Sequence, residues 1–249
     1  GNVVGSNICN IALVLGVGAI IFPLVIQRQE ICREMPVLLG ATLIFLLMIK
    51  DGVIDRLEGG GLFVGLLIYV ITSLVQARKE DPNISEDLDP EVIKAAKNAG
   101  LARLFLNIFL IVIGALLLVV GADRMVVGGE SIARFYGVPE AIIGLTLFAF
   151  GTSLPELATS VVAAMKRQGD ILVGNAVGSC IFNLLAVVGL AGIVSPLKGE
   201  GVTVIHLAVM LTVTVILLPM MLHRMKLNRW EGVLLVTGYL GFTAWLIVA

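Results

Sequence analysis

Charge is scarce in this chain. Asp, Glu, Lys and Arg make up 14% of its 249 residues, against 58% hydrophobic residues. A soluble domain needs a polar surface that this composition does not supply, so the shortage excludes one. Histidine is nearly absent: only His206, near the end of an apolar run, and His223, in a basic loop. Ser153 or Ser179 could serve as the nucleophile of an intramembrane hydrolase, but the histidine placement argues against the necessary Ser–His pair. The three cysteines, Cys9, Cys32 and Cys180, are odd in number and lie in or beside apolar runs. They read as small buried hydrophobes, not as a disulfide framework. With no cluster of nitrogen and sulfur ligands, zinc and copper are disfavoured. The period-two alternation that a transmembrane β-strand shows over about ten residues is also missing.

What the chain does have is long apolar runs and a mean hydropathy of +1.04. Eight spans are expected, at about Ile8–Ile26, Met35–Ile49, Gly60–Val75, Leu104–Ala122, Ala141–Met165, Ile171–Val194, Val202–Leu222 and Gly232–Val248. The fold class is an all-α integral membrane protein, and its 28 glycines suit close helix contacts in lipid. The loops Gln27–Glu34, Gln76–Arg103, Lys166–Asp170 and His223–Arg229 carry twelve of the seventeen Lys and Arg residues. That excess places them in the cytoplasm and both chain ends outside. Asp123, Glu130, Glu140 and Asp170 read as boundary residues near span ends, and Arg124 and Arg134 as snorkelling ones. The basic residues follow this topology, so nothing points to nucleic acid, and no protein partner can be inferred.

The polar stretch Gln76–Gly100 divides the chain, with Asp89 and Pro90 placed to open a short helix to about Asn98. It lacks the alternating carboxylates and glycine of an EF-hand. Residues 1–77 and 104–249 are expected to form two related halves around a cytoplasmic linker, 78–103. Gly1-Asn2-Val3-Val4-Gly5-Ser6-Asn7-Ile8-Cys9-Asn10-Ile11 recurs as Gly174-Asn175-Ala176-Val177-Gly178-Ser179-Cys180-Ile181-Phe182-Asn183-Leu184. Extended without gaps to Leu24 and Leu197, 12 of 24 positions are identical, Ser6/Ser179, Asn10/Asn183, Gly16/Gly189 and Pro23/Pro196 among them. Apolar helices match by chance at Leu, not at aligned Gly, Ser, Asn and Pro. The span count gives the two copies opposite orientations, an inverted repeat whose site lies at the midplane between the halves.

Glu156 is the acid set deep in an apolar run, closing Gly151-Thr152-Ser153-Leu154-Pro155-Glu156. A charge at the bilayer centre costs at least about 2.5–3.5 kcal/mol, so it persists where it has a partner. Pro155 removes a backbone donor and Gly151 weakens the helix, which frees carbonyls such as that of Ala149. Thr152 and Ser153 add hydroxyls. Ser179 and Asn183, four residues apart, share a helix face, as do Ser6 and Asn10. Carboxylate, hydroxyl, amide and carbonyl oxygens suit Ca²⁺ and Na⁺. Taken singly, Ser6 or Ser179 reads as interhelical glue. Glu156 does not.

Gly144-Leu145-Thr146 through Glu156, then Gly174 to Ser179 and Asn183, resemble the second α-repeat of the sodium/calcium exchanger (cation/Ca²⁺ antiporter) superfamily, bacterial type. Gly1–Leu24 resembles the latter part of its first repeat. The resemblance implies Glu156 and Thr152 as Ca²⁺ ligands and Ala149, Ser153, Ser179 and Ser6 at Na⁺ positions. Asn10 and Asn183 would take the central position, where many relatives carry Asp in place of Asn183. It also implies ten helices, with two preceding this chain, and the internal repeat leads us to expect a second carboxylate about twenty residues before Gly1. The expected function is exchange of Na⁺ for Ca²⁺ by alternating access in a bacterial plasma (inner) membrane, without a cofactor. Ca²⁺/H⁺ or other cation/proton exchange stays open.

Overall fold

The structure, a computed structural model, describes residues 1–80, 101–138, 140–199 and 201–248. The apolar runs become helices: α1 (Asn2–Ile21), α2 (Glu30–Asp51), α3 (Arg56–Glu80), α4 (Leu101–Phe135), α5 (Leu145–Thr152), α6 (Leu154–Met165), α7 (Gly169–Val194), α8 (Val204–Leu222) and α9 (Arg229–Val248). Six of them are long and apolar enough to cross a membrane, seven if α5 and α6, bent by 51° at Ser153, count as one. The 20-residue α9 falls outside that set.

Several boundaries differ from those expected. The first helix begins at Asn2, not Ile8, because the side chains of Ser6, Asn7 and Asn10 are buried in protein, where hydropathy is a poor guide. Both α2 and α3 outrun their apolar runs through polar ends. In α4, 35 residues make roughly 52 Å of helix, well beyond the ~30 Å of hydrocarbon. Asp123, Arg124, Glu130 and Arg134 are therefore helical, and Glu130 pairs with Arg134 at 2.7 Å across one turn. The linker boundaries also move, with α3 running to Glu80 and α4 starting at Leu101. The helix expected at Asp89–Asn98 lies outside the described residues. Cys9 and Cys180 are buried, but Cys32 is exposed on the first turns of α2.

Two short ladders tie the ends of these helices. Strand β1 (Leu24–Val25) pairs with β4 (Lys226–Leu227), and β2 (Val53–Ile54) with β3 (Leu197–Lys198). Leu24 faces Leu227 and Ile54 faces Leu197. Adding 173 to 24 gives 197, and adding 173 to 54 gives 227, so the ladders exchange under the repeat offset. The offset recurs elsewhere. Helices α1 and α7 end at Phe22 and Ser195, both extended, as the residue before Pro23 or Pro196 prefers. Asp55 and Glu58 cap α3 reciprocally, and the Asn228 N–H donates to Glu231 at 2.6 Å at the start of α9.

The same offset governs helix contact. A Cβ on Gly232 would lie 2.6 Å from the Gly16 carbonyl oxygen, and one on Gly59 2.9 Å from that of Gly189. Only glycine lets these backbones touch. The core is α1, with 78% of its apolar window buried, wrapped by α7, α8 and α9; α4, at 6%, leaves Phe105, Ile111 and Leu117 exposed.

Candidate cation-binding site

Three irregularities in the helices build the site. In α1 a wider π-helical turn covers Cys9–Val14, and in α7 one covers Asn183–Val187, so Asn10 and Asn183 sit at corresponding bulges. The third is the break between α5 and α6. Ser153 leaves helical geometry there (φ −93°, ψ 1°), and Pro155 in the first turn of α6 contributes no N–H. The Ala149 carbonyl is not freed as expected: it accepts both the Ser153 N–H at 3.2 Å and the Thr152 hydroxyl at 3.1 Å, because the chain turns back on it at the break. Gly5 brings α1 onto α5: a Cβ there would collide with the Leu145 carbonyl and with the Ala149 Cβ.

Where these elements meet, a polar cluster joins α1, α7 and the break between α5 and α6. Ser6 Oγ lies 2.9 Å from Ser153 Oγ. The Asn183 amide donates to Ser6 Oγ at 3.2 Å and to Asn7 Oδ1 at 3.1 Å. Asn7 Nδ2 donates to the Cys180 carbonyl at 3.4 Å. Ser6, Asn7 and Ser153 are all buried. Next to this cluster, Ser179 Oγ makes a long contact of 3.5 Å with Glu156 Oε1, and Glu156 Oε2 is buried with no protein partner. An open cavity of ≈ 340 Å³ is lined by Glu156, Gly174, Asn175, Gly178, Ser179 and Asn183.

Of the residues singled out in the sequence, Ser6, Ser153 and Asn183 thus form one bonded group, and Glu156 and Ser179 another. Asn10 is buried with both side-chain amide atoms unpartnered. Thr152 is set apart: it is exposed, and its hydroxyl bonds Ala149 and reaches Asn2 Oδ1 at 3.4 Å. Sequence reasoning missed Asn7, Asn175 and Ser160; Asn175 Nδ2 and Ser160 Oγ are also buried without partners. The signal that selected Ser6 and Asn10 was identity between the repeat copies. Asn7 aligns with Cys180, so that signal passed over it.

Buried polar atoms without partners are costly, about 1–3 kcal/mol each. Two of them, Glu156 Oε2 and Asn175 Nδ2, belong to residues lining the same cavity, a place where something else can complete the coordination. Among the described residues no group of three or more His, Cys, Asp or Glu side chains is placed to hold a metal. The donors are instead one carboxylate with hydroxyls, amides and carbonyls, which suits a hard cation held briefly as cargo. The hydrolase reading loses its base, since His206 Nδ1 accepts the Thr203 N–H at 3.1 Å in the cap of α8.

The family model described as "Sodium/calcium exchanger protein" matches residues 1–75 and 106–248. The chain belongs to that family. It is 32% identical to the sodium/calcium exchanger MaX1 of Methanosarcina acetivorans, covering 97% of this chain and 78% of that protein. It is also 32% identical to the inner membrane protein YrbG of Escherichia coli, over 99% of this chain and 75% of that one. A solved structure of the sodium-calcium exchanger NCX_Mj, soaked with Na⁺ and Sr²⁺, superposes with a TM-score of 0.76 at 29% identity, covering 98% of this chain and 75% of that chain. Family and fold make the chain an integral membrane cation/Ca²⁺ antiporter.

Proposed function

We propose that the chain exchanges Na⁺ for Ca²⁺ across a bacterial plasma (inner) membrane, with the two ions competing for one cage. The observation that carries this reading is Glu156 Oε2: a carboxylate oxygen buried without a protein partner. Glu156 lies just past a helix break and lines a cavity with Asn175, Ser179 and Asn183, beside Gly174, Gly178 and Phe182, among the described residues. Glu156 and Thr152 serve as Ca²⁺ ligands; Ala149, Ser153, Ser179 and Ser6 line Na⁺ positions; Asn10 and Asn183 flank the centre. Thr152 must swing its hydroxyl away from Asn2 to take part. Residues 1–77 and 104–249 act as inverted repeats that rock against each other around the site, joined by the linker 78–103. The contacts exchanged by the 173-residue offset support that pairing. The names of MaX1 and YrbG support the ion pair and the membrane respectively.

A second reading, Ca²⁺/H⁺ exchange, draws on one observation: among the described residues Glu156 is the one carboxylate lining the cavity, and Asn183, which lines it too, is neutral. Vesicles holding the full-length protein separate the two. Ca²⁺ uptake driven by an outward Na⁺ gradient, and insensitive to a protonophore, supports Na⁺ coupling. Uptake that needs a pH gradient and ignores Na⁺ supports the proton reading. No Ca²⁺ movement under either gradient overturns both.

A further inference from the structure

The hydrogen bonds of the polar cluster run in one direction. A backbone carbonyl only accepts, so the Cys180 oxygen requires Asn7 to present Nδ2, which it does at 3.4 Å. The other end of the Asn7 amide, Oδ1, then faces Asn183 and only accepts. Asn183 must answer with its own Nδ2, at 3.1 Å, and the same nitrogen donates to Ser6 Oγ at 3.2 Å. An NH₂ group has two hydrogens, and both are now committed. Among the described residues no donor reaches the Asn183 Oδ1 atom, and the residue lines the cavity beside Glu156.

Turning either amide over breaks the pattern. Rotating Asn7 alone sets oxygen against the Cys180 carbonyl and NH₂ against NH₂. Rotating both restores the Asn7–Asn183 bond but leaves Asn7 Oδ1 against the Cys180 oxygen, two acceptors facing each other. One main-chain carbonyl therefore fixes which end of Asn183 meets the cations. This matters because an amide oxygen is a cation ligand and an amide NH₂ repels one.

We infer that Asn7 is the positioning residue that sets cation affinity, by holding the Asn183 amide with its oxygen turned to the transported ion. Asn7 binds no ion itself and acts through Asn183. The inference rests on the exchange reading above.

The test uses full-length protein in vesicles and compares Asn7→Leu, Asn183→Ala and the double variant, after wild-type Ca²⁺ transport has been measured. Asn7→Leu removes the acceptor that holds Asn183, and the freed amide offers its NH₂ to the cavity part of the time. The KM for Ca²⁺ is expected to rise on the order of tenfold, with the maximal rate within about twofold of wild type. In the Asn183→Ala background there is no amide to orient, so adding Asn7→Leu is expected to leave KM unchanged. An equal rise in both backgrounds means Asn7 acts through packing and overturns the inference. So does an unchanged KM in the single variant. Asn7→Ala removes the same acceptor in a smaller volume and is read the same way. If neither Asn7 variant accumulates in the membrane, Asn7 holds the fold and the assignment is wrong. Absence of Ca²⁺ transport by the wild type overturns the exchange reading instead, and is seen before any variant is compared.

Discussion

Asn7 and Cys180, 173 residues apart, each donate a hydrogen bond to the other's backbone carbonyl: Asn7 Nδ2 to Cys180 at 3.4 Å, and Cys180 Sγ to Asn7 at 3.8 Å. They occupy the same place in the two copies of the repeat. This contact between a residue and its counterpart at the 173-residue offset lies in the interior of α1 and α7. Moving outward, the contacts come in exchanged pairs, first Gly16 with Gly232 and Gly59 with Gly189, then the two ladders. The same offset thus relates all of these contacts, and Ser6, Asn7 and Asn183 lie at the central one.

Glu156→Gln keeps shape and removes the charge. The carboxylate has one long protein contact, to Ser179, so the folded state loses little when it becomes an amide. Accumulation in membranes is expected to stay within about twofold of wild type, with gradient-driven Ca²⁺ flux down at least about 100-fold. Isotopic Ca²⁺ uptake in vesicles measures it. Normal flux would place the site elsewhere.

The glycine contacts predict paired stability losses. Gly59→Ala and Gly232→Ala each drive a Cβ into a facing backbone, and each is expected to cost about 1–3 kcal/mol. The two losses should be similar, because the repeat offset exchanges their contacts. Gly60→Ala, with nothing within 4 Å of its Cβ, is the control and should not destabilise. Thermal unfolding in detergent, followed by tryptophan fluorescence, reads all three. A control as damaged as the other two would remove the close-approach argument.

Ser153→Ala tests the link from the helix break to α1. Its hydroxyl touches Ser6 Oγ at 2.9 Å, and losing one such bond is worth about 1 kcal/mol, or roughly fivefold. If Ser153 and Ser6 line Na⁺ positions, the Na⁺ concentration for half-maximal Ca²⁺ efflux rises by about that factor, while the Ca²⁺ KM moves by less than about twofold. Equal shifts for both ions would assign the pair to folding.

Much of this was legible in the sequence, for identifiable reasons. A stretch that meets lipid must be apolar, so hydropathy located the helices. A carboxylate at depth beside a proline locates a break, and α5 and α6 do part at Ser153. Aligned Gly, Ser, Asn and Pro exposed the 173-residue offset. Hydropathy failed where polar residues face protein: Ser6, Asn7 and Asn10 made the start of α1 look like a tail, though α1 is the most buried of the candidate spans. It failed again at Asp123 to Arg134, where a helix continues past the length a membrane requires. Asn7 escaped because the reasoning looked for sameness between the copies. Its role rests on a main-chain carbonyl of residue 180, which identity between the copies does not register.

Asn183→Asp brings these points together. Charge alone suggests that a second carboxylate beside Glu156 tightens Ca²⁺ binding at little structural cost, since the change is isosteric. The geometry adds a cost. Asn183 donates to both Ser6 and Asn7, and an ionised aspartate donates to neither. Ser6 can rotate its hydroxyl to donate, but Asn7 is held by the Cys180 carbonyl, so its Oδ1 is left against a carboxylate oxygen. The variant is therefore expected to lose about 1–3 kcal/mol without Ca²⁺. Bound Ca²⁺ offsets the repulsion between the two carboxylates, so it should raise the melting temperature of the variant by more than it raises that of wild type. Melting temperatures with and without saturating Ca²⁺ give both quantities. A variant as stable as wild type without Ca²⁺ would mean that the Asn183 amide does not hold Asn7. An unchanged Ca²⁺-induced rise would mean that position 183 does not face the ion.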